Sequence, residues 1–376
     1  MGVSAGASAS FDLLWLFFCV FCVSFAPSAS GCLFPLPLPL FRGTSPRRPQ
    51  WRAVNILIVK LSSLGDVIHT MPAVQDLRAA RPDARIDWVV EGGFAPLVAR
   101  CEGVRHVIRF GLRRWRRAPA GAAAEWRTFQ GELRALAYDA VIDLQGLTKS
   151  ALVARGARLA AGGRRFALAN RTEGSSWEAP TRWLADVAIR IEPRVHAVTR
   201  SRELCARALG YALPSDLHFG LHASAAADGV TAGPCVALVH GTSRADKLWP
   251  ELHWIELGRR LLAGGFALAF PHGDDAERQR AERLANALGP AAHVWPRLPL
   301  GELTDRLAAC AGVIGVDSGL SHVAVALDLP HVQIYNFDTA WRTGPLPGAR
   351  RQQAVFASPA PAVETVWRAW QQVSAG

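Results

Sequence analysis

From Val54 onward, short and almost uninterrupted apolar runs alternate with stretches of helical periodicity. VNILIV, IDWVV, RHVIRF and AVIDLQG have strand length, and each is followed by a polar turn and a longer amphipathic segment. A strand that is apolar on both faces must be covered on both. Parallel strands also need long crossovers, which helices supply. The alternation therefore predicts a parallel sheet with helices on both sides. Helices are expected at Val67–Ala80 and over about 196–210 (HAVTRSRELCARALG). The pattern loosens across Pro214–Pro234, rich in Ala and Gly, and restarts at CVALVHG. FALAF, HVW, GVIGV and HVQIY then read as strands, and Ala276–Leu288, Leu300–Ala309 and Leu320–Leu327 as helices. Trp254, Leu257 and Leu261 mark one face of a further helix. Val363, Val366, Trp367, Trp370 and Val373 stripe the last one, a pattern of core packing.

The fold class expected is α/β, with two Rossmann-like domains facing across a cleft. The first spans residues 54–215 and the second 216–376, and the C-terminal helix is expected to pack back on the N-terminal domain. In this architecture ligands bind outside the carboxyl ends of the strands.

Residues 1–53 read differently and are expected to form a non-globular extension. Leu13–Ala26 is apolar but short for a bilayer span, and no Lys or Arg precedes it. A Pro-rich piece and a basic one follow. Membrane anchor, cleaved signal and extension from an upstream start codon compete, and the last is favoured because nothing before Val54 looks packable. The seven cysteines are scattered, and the lone C-x-x-C at Cys19 and Cys22 has no second pair. That argues against a zinc site and against a disulfide framework, and fits a reducing cytoplasm.

Net charge is +11, which suits an anionic partner: nucleic acid, an acidic membrane surface or a phosphorylated substrate. The cations are strongly biased, with only three lysines among 42 Lys and Arg. Lys60, Lys149 and Lys247 each sit in a turn-like segment, where a compact ammonium suits phosphate contact.

Three segments carry chemistry. In KLSSLGDVIH a strand ends at Lys60, Ser62, Ser63 and Gly65 build a turn, and Asp66 opens a helix. Asp66 reads either as a helix-capping aspartate or as a general base on the cleft lip. His69, one turn on, reads as a surface residue or an orienting partner. In HGTSRADKLWP, Thr242, Ser243, backbone amides and Lys247 make a diphosphate cradle without a Walker A pattern, and Trp249 reads as a packing ring. In GVIGVDSGLSHVAVAL, Asp317 precedes a helix opened by Ser318, Gly319 and Leu320. A helix start favours phosphate, so Asp317 fits sugar hydroxyls better. His322 is a phosphate donor or a core histidine. The stretch Arg113, Arg114, Trp115, Arg116, Arg117 suits a phosphorylated, membrane-embedded partner, with Trp at the headgroup level, or is a solvated loop. No G-x-G-x-x-G follows the first strand, no D-x-D occurs, and no nucleophile elbow or zinc-ligand spacing is present.

ILIVKLSSLGDVIHTMPAV, VIDLQGLTKSA, HGTSRADKLWPE and GVDSGLSHVAVALDLP, in this order, resemble the lipopolysaccharide heptosyltransferases from Val54 to the C-terminus. HGTSRADK resembles the type I form. The resemblance implies a GT-B fold and metal-independent, inverting transfer of L-glycero-D-manno-heptose from ADP-heptose to the first Kdo of Kdo2-lipid A. It implies work at the cytoplasmic face of the inner membrane, on its anionic surface, with no cofactor and no nucleic-acid partner. Asp66 matches the family's general base. Thr242, Ser243 and Lys247, with Ser318, Gly319, Leu320 and His322, match the diphosphate contacts. Asp317 matches a heptose contact, and Glu277 matches an adenosine-ribose contact. Lys60, Lys149, Arg113, Arg114, Arg116 and Arg117 fall to the acceptor and membrane side. Ser243 and Ser318 stand where Thr is common, and both keep a hydroxyl. Another transferase of this family, such as a type II enzyme, is the alternative. A nucleotide-sugar epimerase, a Rossmann oxidoreductase and a non-catalytic basic module lie further off.

Overall fold

In the computed structural model, which describes residues 54–224, 233–346 and 348–375, the chain builds two six-stranded parallel sheets. Residues 1–53, the expected extension, lie outside the described residues. The first sheet contains β1 (Asn55–Val59), β2 (Arg85–Glu91), β3 (Val104–Phe110), β4 (Tyr138–Asp143), β5 (Leu159–Leu168) and β6 (Val187–Ile189). Their order is β3-β2-β1-β4-β5-β6. The second contains β7 (Cys235–Val239), β8 (Ala267–Phe270), β9 (Ala292–Val294), β10 (Gly312–Val316), β11 (His331–Tyr335) and β12 (Gln352–Phe356), ordered β12-β11-β10-β7-β8-β9. Each is the doubly wound order, whose direction reverses beside the first strand: between β1 and β4 in one sheet and between β7 and β10 in the other.

The central strands are the ones that sequence alone reveals. Ile56 to Val59 and Val313, Ile314 and Val316 are fully buried, as strands covered on both faces must be. β5, β6 and β12 were not among the expected strands. Gly162, Gly163, Arg164 and Arg165 break the apolar run of β5, and β6 is only three residues long. The helix expected at Val67–Ala80 is two, Leu64–Ile68 and Met71–Ala80. Pro72 has no N–H to give a preceding turn, so it sits in the first turn of a new helix.

The last helix, Val363–Ser374, corrects the expectation that it returns to the N-terminal domain. Val363, Val366, Trp370 and Val373 pack with Ile314, Val332, Ile334 and Val355 of the second sheet. The uncovered face of its own sheet is a few residues away after β12, and the apolar stripe closes on it.

Helix Ala197–Leu209 fixes one wall of the cleft. Arg202 makes a two-pronged pair with Asp76 of Met71–Ala80, at 2.7 and 3.0 Å, with both side chains buried. Across the cleft, Arg100 binds Asp305 through both terminal guanidinium nitrogens, Arg194 lies 4.2 Å over the Trp341 ring, and His196 Nε2 donates to Gly344 O at 2.9 Å.

Several buried histidines set the acid limit of this fold. Burial pushes His196, His240 and His331 each down to about 4. An unfolded histidine titrates near 6.5, so between about 6.5 and 4 the unfolded chain takes up protons that the folded one refuses. Stability is therefore complete above that window and is lost as pH falls through it, at up to about 1.4 kcal/mol per pH unit for each residue. Asp143 works the other way. Burial raises it to about 6, so its contribution is present at low pH and fades as pH rises through 6. The histidines outnumber it, and thermal melts should show Tm falling steeply from pH 7 to pH 5. A flat Tm over that range would contradict the burial of these rings.

Candidate active site

The carboxyl ends of β1, β4, β7 and β10 open into one cavity of about 980 Å³ between the lobes. Its lining includes Lys60, Asp66 and His69 from the first lobe. From the second come Thr242, Ser243, Lys247, Glu277, Asp317, Ser318, Gly319, Leu320 and His322. The two loop systems touch directly. A Cβ on Gly65 would come within 2.6 Å of His322 Cδ2, and one on Gly319 within 2.6 Å of Leu64 Cδ2. Neither glycine has a positive φ, so each is needed for close approach rather than for conformation. Gly65→Ala should therefore leave both lobes folded but hold them apart, because the overpacking cost of about 1–3 kcal/mol falls on their closure and is relieved when they part. The expected result is a kcat/KM lower by about tenfold or more with little change in Tm; wild-type kcat/KM in the variant would contradict this contact.

Asp66 does two jobs at once. Its Oδ2 accepts from the Ser63 N–H at 3.2 Å and from the Ser63 hydroxyl at 2.9 Å, the capping arrangement that starts helix Leu64–Ile68. Oδ1 faces Lys60 Nζ at 3.3 Å and Arg200 at 3.5 Å. Capping thus orients the carboxylate. Burial in the cleft wall opposes its ionisation, but the ammonium of Lys60 and the guanidinium of Arg200 outweigh burial and hold it well below the usual carboxylate range. Asp66 is ionised at neutral pH and able to accept a proton.

Lys60, expected on the acceptor and membrane side, is buried in the cavity wall beneath Asp66 rather than exposed to a membrane surface. Its side chain is 2% exposed, and Nζ donates to Leu144 O at 3.0 Å as well as to Asp66. Burial lowers its pKa, and the neighbouring carboxylate partly restores it. The DLQGLTKS segment supports this corner. Asp143 accepts from the N–H groups of Gln145 and Gly146, and Gln145 Oε1 accepts from those of Leu61 and Ser62.

On the opposite wall Lys247 Nζ meets Asp317 Oδ2 at 2.5 Å. His322 Nε2 lies 3.7 Å from the other oxygen of Asp317. The Thr242 hydroxyl donates to Asp317 O at 3.0 Å. Asn336, absent from the residues expected at the site, donates to the carbonyls of Asp246 and Leu248 and so clamps the loop that carries Lys247. Glu277 Oε2 accepts from the Gly273 N–H at 2.6 Å. Ser318 Oγ is buried without a partner at the start of helix Gly319–Ala326. An ammonium, hydroxyls and free amides of a helix start together form an anion-stabilising pocket.

His69 is not a surface residue. It is buried, with its ring 4.3 Å from that of His322 and 6.0 Å from that of His196. Burial, helped by these neighbours, lowers its pKa well below the usual histidine value.

The RRWRR stretch is neither a loop nor a membrane-facing tryptophan. It forms helix Leu112–Arg117, with Trp115 buried against Phe110, Trp126 and Phe129 and its Nε1 bonded to Glu125 at 2.6 Å. Helical rotation turns the ring inward and leaves Arg113, Arg114, Arg116 and Arg117 toward solvent. Arg114 pairs with Glu125 at 2.6 Å. Arg113, Arg116 and Lys149 gather around Glu91, whose carboxyl is raised by burial against their opposing pull. These cations do not line the cavity; Gly93 and Phe94, just beyond Glu91, do.

Sequence reasoning missed Arg200, Arg297 and Arg342, which also line the cavity. Each sits among helical or loop residues where it looks like an ordinary surface arginine.

Comparison with known proteins places the chain in a family. Residues 126–366 match the family model of glycosyltransferase family 9 (heptosyltransferase). The chain is 40% identical over 291 residues to lipopolysaccharide heptosyltransferase 1 of Pseudomonas aeruginosa, covering 75% of this chain and 78% of that protein. Identity falls to 26% over 310 residues with lipopolysaccharide heptosyltransferase 2 of Escherichia coli K12, covering 78% and 86%. Among solved structures, E. coli heptosyltransferase WaaC with ADP superposes with a TM-score of 0.74 at 34% identity, covering 84% of this chain and 98% of that one. WaaC has also been solved with ADP-2-deoxy-2-fluoro heptose, with a TM-score of 0.70. With its two parallel-sheet lobes and these matches, the chain belongs to glycosyltransferase family 9, the heptosyltransferases.

Proposed function

We propose that this glycosyltransferase moves L-glycero-D-manno-heptose from ADP-heptose to the first Kdo of Kdo2-lipid A, with inversion, at the cytoplasmic face of the inner membrane. The observation that carries the reading is the shared cavity: an ionised Asp66 on one wall faces the Lys247 and Ser318–His322 pocket on the other. Asp66 takes the proton of the acceptor hydroxyl as that oxygen attacks the anomeric carbon from the face opposite the leaving group. Lys247, the Thr242 and Ser243 hydroxyls and the start of helix Gly319–Ala326 meet the charge that builds on the departing diphosphate. Glu277, packed against Gly241 at the base of the 242–247 loop, is proposed to bind the ribose. Asp317, held by Lys247, turns its other oxygen toward His322, which supports its role as the contact to the sugar hydroxyls.

These protein cations perform the charge neutralisation that a divalent ion performs elsewhere, so no metal cofactor is invoked. Among the described residues, no group of three or more His, Cys, Asp or Glu is placed to hold a metal ion. The solvent exposure of the arginines of Leu112–Arg117 supports contact with phosphate and an anionic membrane surface. Among the described residues no helix is long and apolar enough to cross a membrane. The greater similarity to type 1 than to type 2 relatives favours Kdo over an already heptosylated core. The test is an EDTA-treated assay of the purified protein with ADP-heptose and either acceptor, read by mass spectrometry. A single added heptose on Kdo2-lipid A is expected. Transfer only to the heptosylated core, or to neither acceptor, would refute the assignment.

A further inference from the structure

The cavity carries more positive than negative charge, and the surplus is not evenly spread. Lys60, Arg200, Lys247, Arg297 and Arg342 line it, against Asp66, Glu277 and Asp317. Lys247 is taken by Asp317 on the donor wall. Around Asp66, however, two cations converge on a single carboxylate oxygen. Arg200 is the less satisfied of the two. Its side chain is 9% exposed, Nη1 donates to Thr172 Oγ1 at 3.0 Å, and Nε is buried with no partner. Among the described residues, Asp66 is the one carboxylate within ion-pair distance of it. Arg342 lies close enough to act on it electrostatically, and donates to Gly174 O at 3.0 Å from the same wall as Ser175 and Ser176. A buried guanidinium that lies beside a second one and shares its one counter-charge with Lys60 is costly unless an anion arrives.

We propose that Arg200, flanked by Arg342, seats a carboxylate of the acceptor sugar next to the hydroxyl that Asp66 deprotonates, and so selects acidic acceptors. This rests on the transferase reading and names the chemistry of its acceptor side. The position of Arg200 supports it. Helix Ala197–Leu209 belongs to the Asp66 wall and is pinned there by Arg202 and Asp76, whereas the diphosphate pocket is built on the other lobe. A guanidinium fork matches a carboxylate geometrically. Occupancy has a chemical consequence as well: a carboxylate on Arg200 would draw that cation's field off Asp66 and make Asp66 a stronger base when the acceptor is in place.

The experiment compares the full-length protein and its Arg200→Gln and Arg200→Lys variants with ADP-heptose and two acceptors, the sugar acid and its methyl ester. The wild type should prefer the acid by about 30-fold or more in kcat/KM. Arg200→Gln should bring the ratio close to one, Arg200→Lys should keep part of it, and the KM for ADP-heptose should hardly move. The ratio is measured within each protein, so a general loss of activity does not blur it. Should Arg200→Gln fold poorly for want of the Thr172 bond, Arg342→Gln should lower the ratio in the same direction. Equal rates for acid and ester in the wild type would overturn the proposal. So would a ratio unchanged in Arg200→Gln and Arg342→Gln. A raised donor KM with the ratio intact would assign Arg200 to the diphosphate and overturn it too. Transfer to neither acceptor by the wild type would instead bring down the transferase reading beneath it.

Discussion

Asp66→Asn should lower turnover by about 10²–10⁴-fold while ADP-heptose still binds with wild-type affinity. The asparagine keeps an oxygen that can accept from Ser63, so the start of helix Leu64–Ile68 survives. It loses the charge and the basicity. Lys60 and Arg200 then face one another with no carboxylate between them. Breaking a fully buried pair costs about 3–5 kcal/mol; Asp66 is a third exposed, so solvent should hold the loss of stability to about 1–2 kcal/mol. Single-turnover transfer and calorimetric titration with ADP separate the two effects. Turnover within tenfold of wild type would remove Asp66 from the role of base.

Lys247→Ala should damage both donor affinity and the chemical step. In the wild type Lys247 neutralises Asp317, which is only 8% exposed at its side chain. Without the ammonium, an unpaired buried carboxylate confronts an incoming diphosphate. Loss of one partner of such a pair costs about 2–5 kcal/mol, or about 30-fold to several-thousand-fold in kcat/KM for the donor. Much of that penalty belongs to the stranded Asp317 rather than to a lost phosphate contact. The double variant Lys247→Ala, Asp317→Asn should therefore recover part of the donor affinity, a coupling that a double-mutant cycle reads directly. An unchanged donor KM and kcat in Lys247→Ala would contradict the pocket.

The turn sequences made most of the site legible. Strand-end turns rich in Gly and Ser are short, so the strand itself fixes the position of the residues just past its carboxyl end. Asp66, Thr242, Ser243, Lys247 and the 317–322 segment could thus be placed on one cleft from residue order alone, and they share one cavity. Side-chain direction was less legible. Lys60 ends a strand and reads as rim, yet it turns into the wall beneath Asp66. Trp115 is flanked by four arginines, yet the rotation of a short helix buries it. His69 looks like a surface residue until the second lobe brings His322 over it.

Arg200 was the hardest to see. In TRSRELCARAL it is one arginine among several, and nothing local marks it. Its importance comes from tertiary packing, through the Arg202–Asp76 pair that sets the helix against the cleft. The missed strands β5, β6 and β12 have the same origin. They lie toward the sheet edges, where burial is weaker and the apolar runs are diluted by Gly, Arg or Gln.

The most direct test is a crystal structure with an ADP-heptose analogue fluorinated at C2. The account predicts that the diphosphate lies against Lys247 and the amides of Ser318–Leu320, with the anomeric carbon turned toward Asp66 across the same cavity. A nucleotide bound outside that cavity, or an anomeric carbon facing away from Asp66, would contradict it.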